Sequence, residues 1–227
     1  MLWGLGSVFD ERLWPLMTAT LVDLEHWPRR DTLALFRRFQ KPQFAVTSRV
    51  DVTAVLSRRK KDKTFSAYLA CMHAVGTALH AVPELAYRIK GEGVVVHDRM
   101  ILSPTLLFPD GRLGFTYLDW LEDAETFAAG ARAAIDATLA VGRMEPGIDR
   151  DEGVAFLSCQ PWLDFTAFDN PVLNPEDSIP RITWGMFTAE PSDRWSMAVA
   201  LQVHHGLVDG LHVAQFFLAL QKALDAV

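Results

Sequence analysis

Three features of the chain predict an α/β fold in which a mixed β-sheet carries packed helices. Apolar side chains recur at helical spacing in some stretches and alternate in others. The two kinds of stretch are interleaved without a regular βαβ rhythm. No glycine-rich phosphate loop opens a helical segment, which argues against a doubly wound nucleotide fold. Half of the 227 residues are hydrophobic and only 22% are charged, with 14 Phe and 7 Trp. Such a composition buries a sizeable core and is not that of a disordered chain, and residues 1–227 read most simply as one domain.

The elements follow in order. Residues 43–52 put Phe44, Val46, Ser48 and Val50 on one side and Ala45, Thr47 and Arg49 on the other, a strand with a mainly apolar face. Phe65, Leu69, Met72, Val75 and Leu79 recur at intervals of 4, 3, 3 and 4, which predicts a helix over 65–80. Short strands are expected at 93–96, 101–108 and 114–118, with a Pro109-Asp110-Gly111 turn between the last two. A helix N-capped by Asp123 should run over 124–141. Further strands are expected at 154–158, 165–168, 182–187 and 195–204. A last helix, about 211–224, carries Val213, Phe217, Leu220 and Leu224 on one stripe.

Charge and cysteine usage narrow the function classes. A formal charge of −6 disfavours nucleic-acid binding, which needs a basic face. The one basic run, Arg58-Arg59-Lys60-Lys61, is interrupted at Asp62; it reads as a solvated loop or helix start, or as a patch for an anionic cofactor. Cys71 and Cys159 lie far apart with no CxxC partner, which fits a reducing cytoplasm. Residues 1–22 are interrupted by Asp10, Glu11 and Arg12, so neither a signal peptide nor a membrane span is expected.

The most informative stretch is Met197 to His212. An apolar run ends in His204 and His205, and an Asp209-Gly210 turn then leads into a helix. A histidine at the end of a buried strand can take a proton from a hydroxyl near neutral pH. Neighbouring strand residues point to opposite sides, so one of the pair faces any given site. A metal reading would use His205, Asp209 and His212, but the strand–turn–helix break offers no fixed ligand face and no metal centre is expected.

Gln202-Val-His204-His205-x3-Asp209-Gly210-x-His212, running into an amphipathic C-terminal helix, resembles the chloramphenicol acetyltransferase family. The His-x3-Asp-Gly signature is shared with dihydrolipoamide acyltransferase cores and peptide-synthetase condensation domains. Other segments favour the first family: Trp27-Pro-Arg29-Arg30, Phe44 to Asp51, Ser158-Cys-Gln-Pro-Trp162 followed by Phe165 and Phe168, and Pro180-Arg-Ile-Thr183. The resemblance is colinear from about residue 27 to 224.

The resemblance implies a CoA-dependent acyltransferase fold and direct transfer from acetyl-CoA, as co-substrate, to a hydroxylated acceptor such as chloramphenicol, without a bound cofactor. His205 would be the general base, Ser158 a hydrogen-bond donor to the oxyanion, and Thr183 a second support, through a water. A buried Asp209 would pair with Arg29, and Trp162 would pack along the CoA arm. The acceptor pocket would involve Phe36, Gln40, Phe44, Phe115, Glu145 and Phe168. Gln40 and Glu145 stand where apolar side chains are usual, which leaves a more polar acceptor as an alternative. The family resemblance also implies a homotrimer with active sites between subunits, the base from one and the acceptor pocket mainly from its neighbour. A dihydrolipoamide acyltransferase would carry a lipoyl domain, and a condensation domain would be about twice as long. A trimeric relative that only binds a ligand is opposed by the intact set of His205, Ser158, Asp209 and Arg29.

Overall fold

The computed structural model describes residues 18–142 and 153–227. The chain opens with β1 (Ala19–Leu21), α1 (Arg30–Phe36), β2 (Gln43–Asp51), α2 (Thr53–Lys61) and α3 (Ala67–His80). Next come β3 (Tyr87–Lys90), β4 (Gly93–His97), β5 (Ile101–Leu107), β6 (Leu113–Phe115), β7 (Leu118–Asp119) and α4 (Ala124–Val141). After the undescribed segment stand β8 (Val154–Cys159), β9 (Arg181–Trp184), β10 (Thr188–Ala189), β11 (Trp195–His204) and α5 (Gly210–Asp225). This is the mixed α/β architecture expected from the sequence.

The main sheet is organised by β11. Along one edge β2 pairs with it antiparallel, from Ser196 opposite Asp51 to His204 opposite Gln43. Along the other edge it meets β9, with Ala200 opposite Thr183, and the short β10. The sheet then becomes parallel through β9, β8 and β5, and closes with antiparallel β6 and β7. A separate three-stranded sheet has the order β1-β4-β3.

Strand alternation gives the main sheet two chemically different faces. One carries Leu102, Leu157, Ile182, Trp184, Leu201 and Val203, all buried, and receives α3 and α5. Leu69, Met72, Val75 and Leu79 of α3 lie in that core, as their spacing predicts. On α5 the buried stripe is Val213, Phe216, Leu220 and Leu224. Phe217 is only partly buried: it meets Phe216 edge-on, and the stripe runs one position earlier than the sequence suggests. The other face is mostly polar or small, Phe156 apart. The same registers place Ser103, Phe156, Ser158, Arg181, Thr183, Ala200 and Gln202 there.

That polar face is roofed by the irregular segment 160–180. The strand expected at 165–168 is absent; the chain on either side of it is tied down instead, the Met186 amide bonding the Leu163 carbonyl and the Asn170 amide bonding the Gln202 side chain. The expected strand 182–187 stops at Trp184, where the chain turns to meet this roof. A Cβ at Gly185 would stand 2.6 Å from the Leu163 carbonyl oxygen, so only glycine lets the two backbones approach. The expected strand 114–118 is split into β6 and β7, since the facing Pro104 has no amide to donate. Helices α1 and α2 were not anticipated as such. The basic run falls in the last turn of α2, where cations complement the helix dipole, and Arg58 lies 4.7 Å from the centre of the Phe65 ring.

Gly76, inside α3, creates a seat for Trp120: a Cβ there would lie 2.2 Å from the indole Cδ1. The indole cannot easily yield, because it stacks on His80 at 4.3 Å and donates to the His73 carbonyl. Helix propensity favours Gly76→Ala by about 1 kcal/mol, whereas overpacking opposes it by about 1–3 kcal/mol. Overpacking should win, and Gly76→Ala is expected to lower Tm in a thermal melt. A raised Tm would contradict this packing.

Candidate active site

The end of β11 holds one cluster. The His205 backbone N–H donates to the Pro42 carbonyl at 3.0 Å, and its own carbonyl accepts from Arg29 Nη2 at 3.1 Å. Its ring lies 4.1 Å from Phe36, nearly parallel at 16°, and 4.6 Å from Phe44. Imidazole position is therefore set from both sides, by backbone hydrogen bonds and by two aromatic walls. The ring remains partly accessible, and Nδ1 has no partner within hydrogen-bond distance.

Arg29 links this histidine to the helix that follows. Its Nη1 donates to Asp209 Oδ2 at 2.6 Å while Nη2 holds His205. Asp209 is also the N-cap of α5: its Oδ1 accepts the Leu211 amide, and its own amide donates to His212 Nδ1. Desolvation pushes the Asp209 carboxyl up, but the Arg29 hydrogen bond, the His212 charge and the Leu211 amide outweigh it and leave its pKa lowered. The expected pairing is thus present, but the expected burial is not. The Asp209 side chain is 40% exposed because an N-cap sits where the chain enters the helix from the surface.

His204 faces the other way, among the buried groups, and is 2% exposed. Its Nδ1 accepts the Gly206 amide at 3.0 Å, and burial drives its pKa down to about 4, against a smaller opposing pull from the Pro175 carbonyl. The two neighbouring histidines are therefore distinct: His204 is a neutral structural side chain and His205 lies at an aromatic-lined opening.

A second cluster sits on the polar face. Ser158 and Thr183 are direct neighbours in parallel register. Ser158 Oγ accepts from Gln160 Nε2 at 3.2 Å and Thr183 Oγ1 from Asn170 Nδ2 at 3.5 Å, so each hydroxyl keeps a proton to donate elsewhere. Cys159, beside Ser158, points to the helix-covered face, and burial raises its thiol to about 11, so it is no thiolate nucleophile at neutral pH.

The two clusters do not meet within one chain. Thr183 is opposite Ala200, and the four residues from there to His204 span roughly 13 Å at about 3.3 Å per residue. His205 also lies toward the helix-covered face with Phe44, opposite to Ser158 and Thr183. The other expected residues divide between the clusters. Phe36 and Phe44 belong with His205, and Phe115 stands opposite Thr105 on the Ser158 side of the sheet. Phe168 packs on Phe165 and borders, with Phe44, an open groove that Lys41 and Asp169 close by an ion pair. Gln40 is exposed after α1, Trp162 is 66% exposed on the turn after Ser158, and Glu145 lies outside the described residues. Sequence reasoning missed Gln160 and Asn170, the two amides behind the hydroxyls; nothing in their local spacing marks them.

Among the described residues no group of His, Cys, Asp and Glu could hold a metal ion, and no helix is long and apolar enough to cross a membrane. His212 has its own bonds, to the Asp209 amide and toward Glu84 at 3.6 Å.

Two outcomes are expected from this geometry. Asp209→Asn keeps the helix cap but weakens a partly exposed ion pair, so unfolding should be easier by about 1 kcal/mol, not by the 3–5 kcal/mol of a fully buried pair. A loss of the larger size in denaturant titration would mean that the pair is buried in solution. His204 has a folded pKa below its unfolded value of about 6.5, so the unfolded chain binds the extra proton first. Stability is then unaffected above about pH 6.5 and falls by about 1.4 kcal/mol per pH unit as pH drops toward 4. Denaturant titrations at pH 7 and pH 5 should show this loss, and His204→Gln should reduce it; an equal loss in the variant would contradict the assignment.

Comparison with known proteins shows the family. The family model for chloramphenicol acetyltransferase matches residues 17–221. Chloramphenicol acetyltransferase 2 of Escherichia coli is 28% identical over 214 residues, covering 93% of this chain and 99% of that protein. A solved chloramphenicol acetyltransferase superposes with a TM-score of 0.83 at 28% identity, covering 91% of this chain and all of that one. A dihydrolipoamide acetyltransferase of Azotobacter vinelandii, 15% identical with a TM-score of 0.66 over 99% of this chain and 97% of its own, shares the fold. The chain belongs to the chloramphenicol acetyltransferase family, a family of acyltransferases.

Proposed function

We propose that this chain, as one acyltransferase domain, transfers an acetyl group from acetyl-CoA to a hydroxyl of chloramphenicol in the cytoplasm, as a homotrimer whose active sites lie between subunits. The observation that carries the reading is the separation of the two clusters. A base and an oxyanion donor must both come within about 3 Å of the reacting atoms. Within one chain, His205 stands past the end of β11 against Phe44, and register puts Phe44 on the face opposite Ser158 and Thr183. Bringing the His205 end of one subunit against the Ser158 face of another completes a site that neither holds alone.

In such a site His205 takes the proton of the acceptor hydroxyl as its oxygen attacks the thioester carbonyl. The C–O bond forms, and Ser158, with Thr183 through a water, donates to the negative oxygen of the tetrahedral centre. Collapse breaks the C–S bond, and His205 returns the proton to the leaving thiolate. No acyl-enzyme is needed, in keeping with a protonated Cys159 and with the absence of a nucleophile elbow around Ser158. Arg29 and Asp209 hold the His205 backbone, and Phe36 and Phe44 hold its ring and wall the acceptor. Phe168, which borders a groove with Phe44, would extend that wall, and Phe115 would add apolar surface from the facing subunit. Gln40 would lie at the rim, and Trp162 would lie along the CoA arm.

Steady-state kinetics with acetyl-CoA and chloramphenicol test the division between the histidines. His205→Ala should lower kcat by about 10²- to 10⁴-fold with the assembly intact, while His204→Ala keeps most of its turnover and loses stability. Ser158→Ala should lower kcat by up to about 10²-fold with little change in KM for acetyl-CoA. Equal loss of turnover in both histidine variants, with folding intact, would refute the assignment of the base.

A further inference from the structure

We infer that Asn170 is a positioning residue for the reaction, fixing the direction in which Thr183 donates its hydroxyl proton, and that Gln202 holds Asn170 in place; this rests on the acyl-transfer reading above. Gln202 is 1% exposed on β11, on the polar face, and spends both ends of its carboxamide on one residue of the roof. Its Oε1 accepts the Asn170 amide at 2.6 Å, and its Nε2 donates to the Asn170 carbonyl at 3.1 Å. A buried amide satisfied in this way mimics a rung of sheet ladder and ties an otherwise irregular segment to a central strand.

The clamp grips the backbone of Asn170 and leaves its side chain free for another task. That side chain reaches Thr183, with Nδ2 at 3.5 Å from Oγ1. Thr183 is fully buried, so its hydroxyl has few alternatives. A hydroxyl that accepts from a fixed amide N–H must turn its own proton away from it, and Ser158 stands directly beside Thr183 on the same face. Ser158 is arranged alike, with its oxygen accepting from Gln160 at 3.2 Å. The 3.5 Å separation is long for a hydrogen bond and is of the kind that tightens when charge develops on the reacting oxygen.

The test is a double-mutant cycle between Asn170 and Thr183, read as kcat and KM with acetyl-CoA and chloramphenicol, with thermal melts to confirm folding. Because Gln202 holds only the backbone of residue 170, Asn170→Ala and Asn170→Asp should both fold. Asn170→Ala should lower kcat by about three- to tenfold, the range of one neutral hydrogen bond, with KM for acetyl-CoA within about twofold. Asn170→Asp, of the same size but offering an acceptor, should be at least as slow, because it draws the Thr183 proton back toward residue 170. In the Thr183→Ala background, Asn170→Ala should have no further effect on kcat. Multiplying losses, or Asn170→Asp at full rate, would overturn the inference and leave the acyl-transfer reading standing. Thr183→Ala at full rate would overturn the inference together with the role given to Thr183, and His205→Ala at full rate would overturn the reading itself.

Discussion

The structure depends on one constraint: the register of β11 with β2 and β9. Its pairing with β9 fixes Ala200 opposite Thr183, and its pairing with β2 fixes His204 opposite Gln43. Alternation then assigns every side chain to a face. Apolar residues meet α3 and α5, and hydroxyl, amide and small residues meet the roof of 160–180. A slip of one residue would exchange the two sets, exposing Leu201 and Val203 and driving Gln202 into the helices. Burial of the apolar set holds the register, and the register in turn places the chemistry.

From this follows the division of the candidate site. The imidazole of His205 is held at the sheet's end by Pro42, Arg29, Phe36 and Phe44, while the hydroxyls of Ser158 and Thr183 are held mid-sheet by Gln160 and Asn170. Each half is well ordered by its own neighbours, and in the proposed reading the two act together across subunits. Pre-organised halves on one rigid scaffold lend themselves to assembly by association, because little further ordering is needed when two copies meet.

Much of this was legible in the sequence, and the limits have physical causes. The helix at 67–80 and the strand at 195–204 are long and strongly periodic, and Asp123 caps its helix as its residue type suggests. The His205, Asp209 and Arg29 set was legible because the family resemblance joins positions 180 residues apart. What failed depended on contacts outside the local window. The segment 165–168 has strand-like aromatics, but the chain on either side of it, at Leu163 and Asn170, is held by Met186 and Gln202. The break between β6 and β7 comes from Pro104 on the facing strand. Asp209 is expected to be buried because the family resemblance implies it, whereas a helix cap is placed near solvent by its own geometry. Gln160 and Asn170 are ordinary polar residues until the register brings a hydroxyl to each.

Mixing two defective proteins tests the central claim most directly. His205→Ala and Ser158→Ala chains, each close to inactive, would be unfolded together, refolded and assayed for acetyl transfer to chloramphenicol. If sites are built between subunits, an equal mixture should regain activity at roughly a quarter of its sites, where an intact His205 from one chain faces an intact Ser158 from another. If each chain carried its own complete site, every site in the mixture would lack one group and activity would stay at the level of the separate parents; that result would contradict the account.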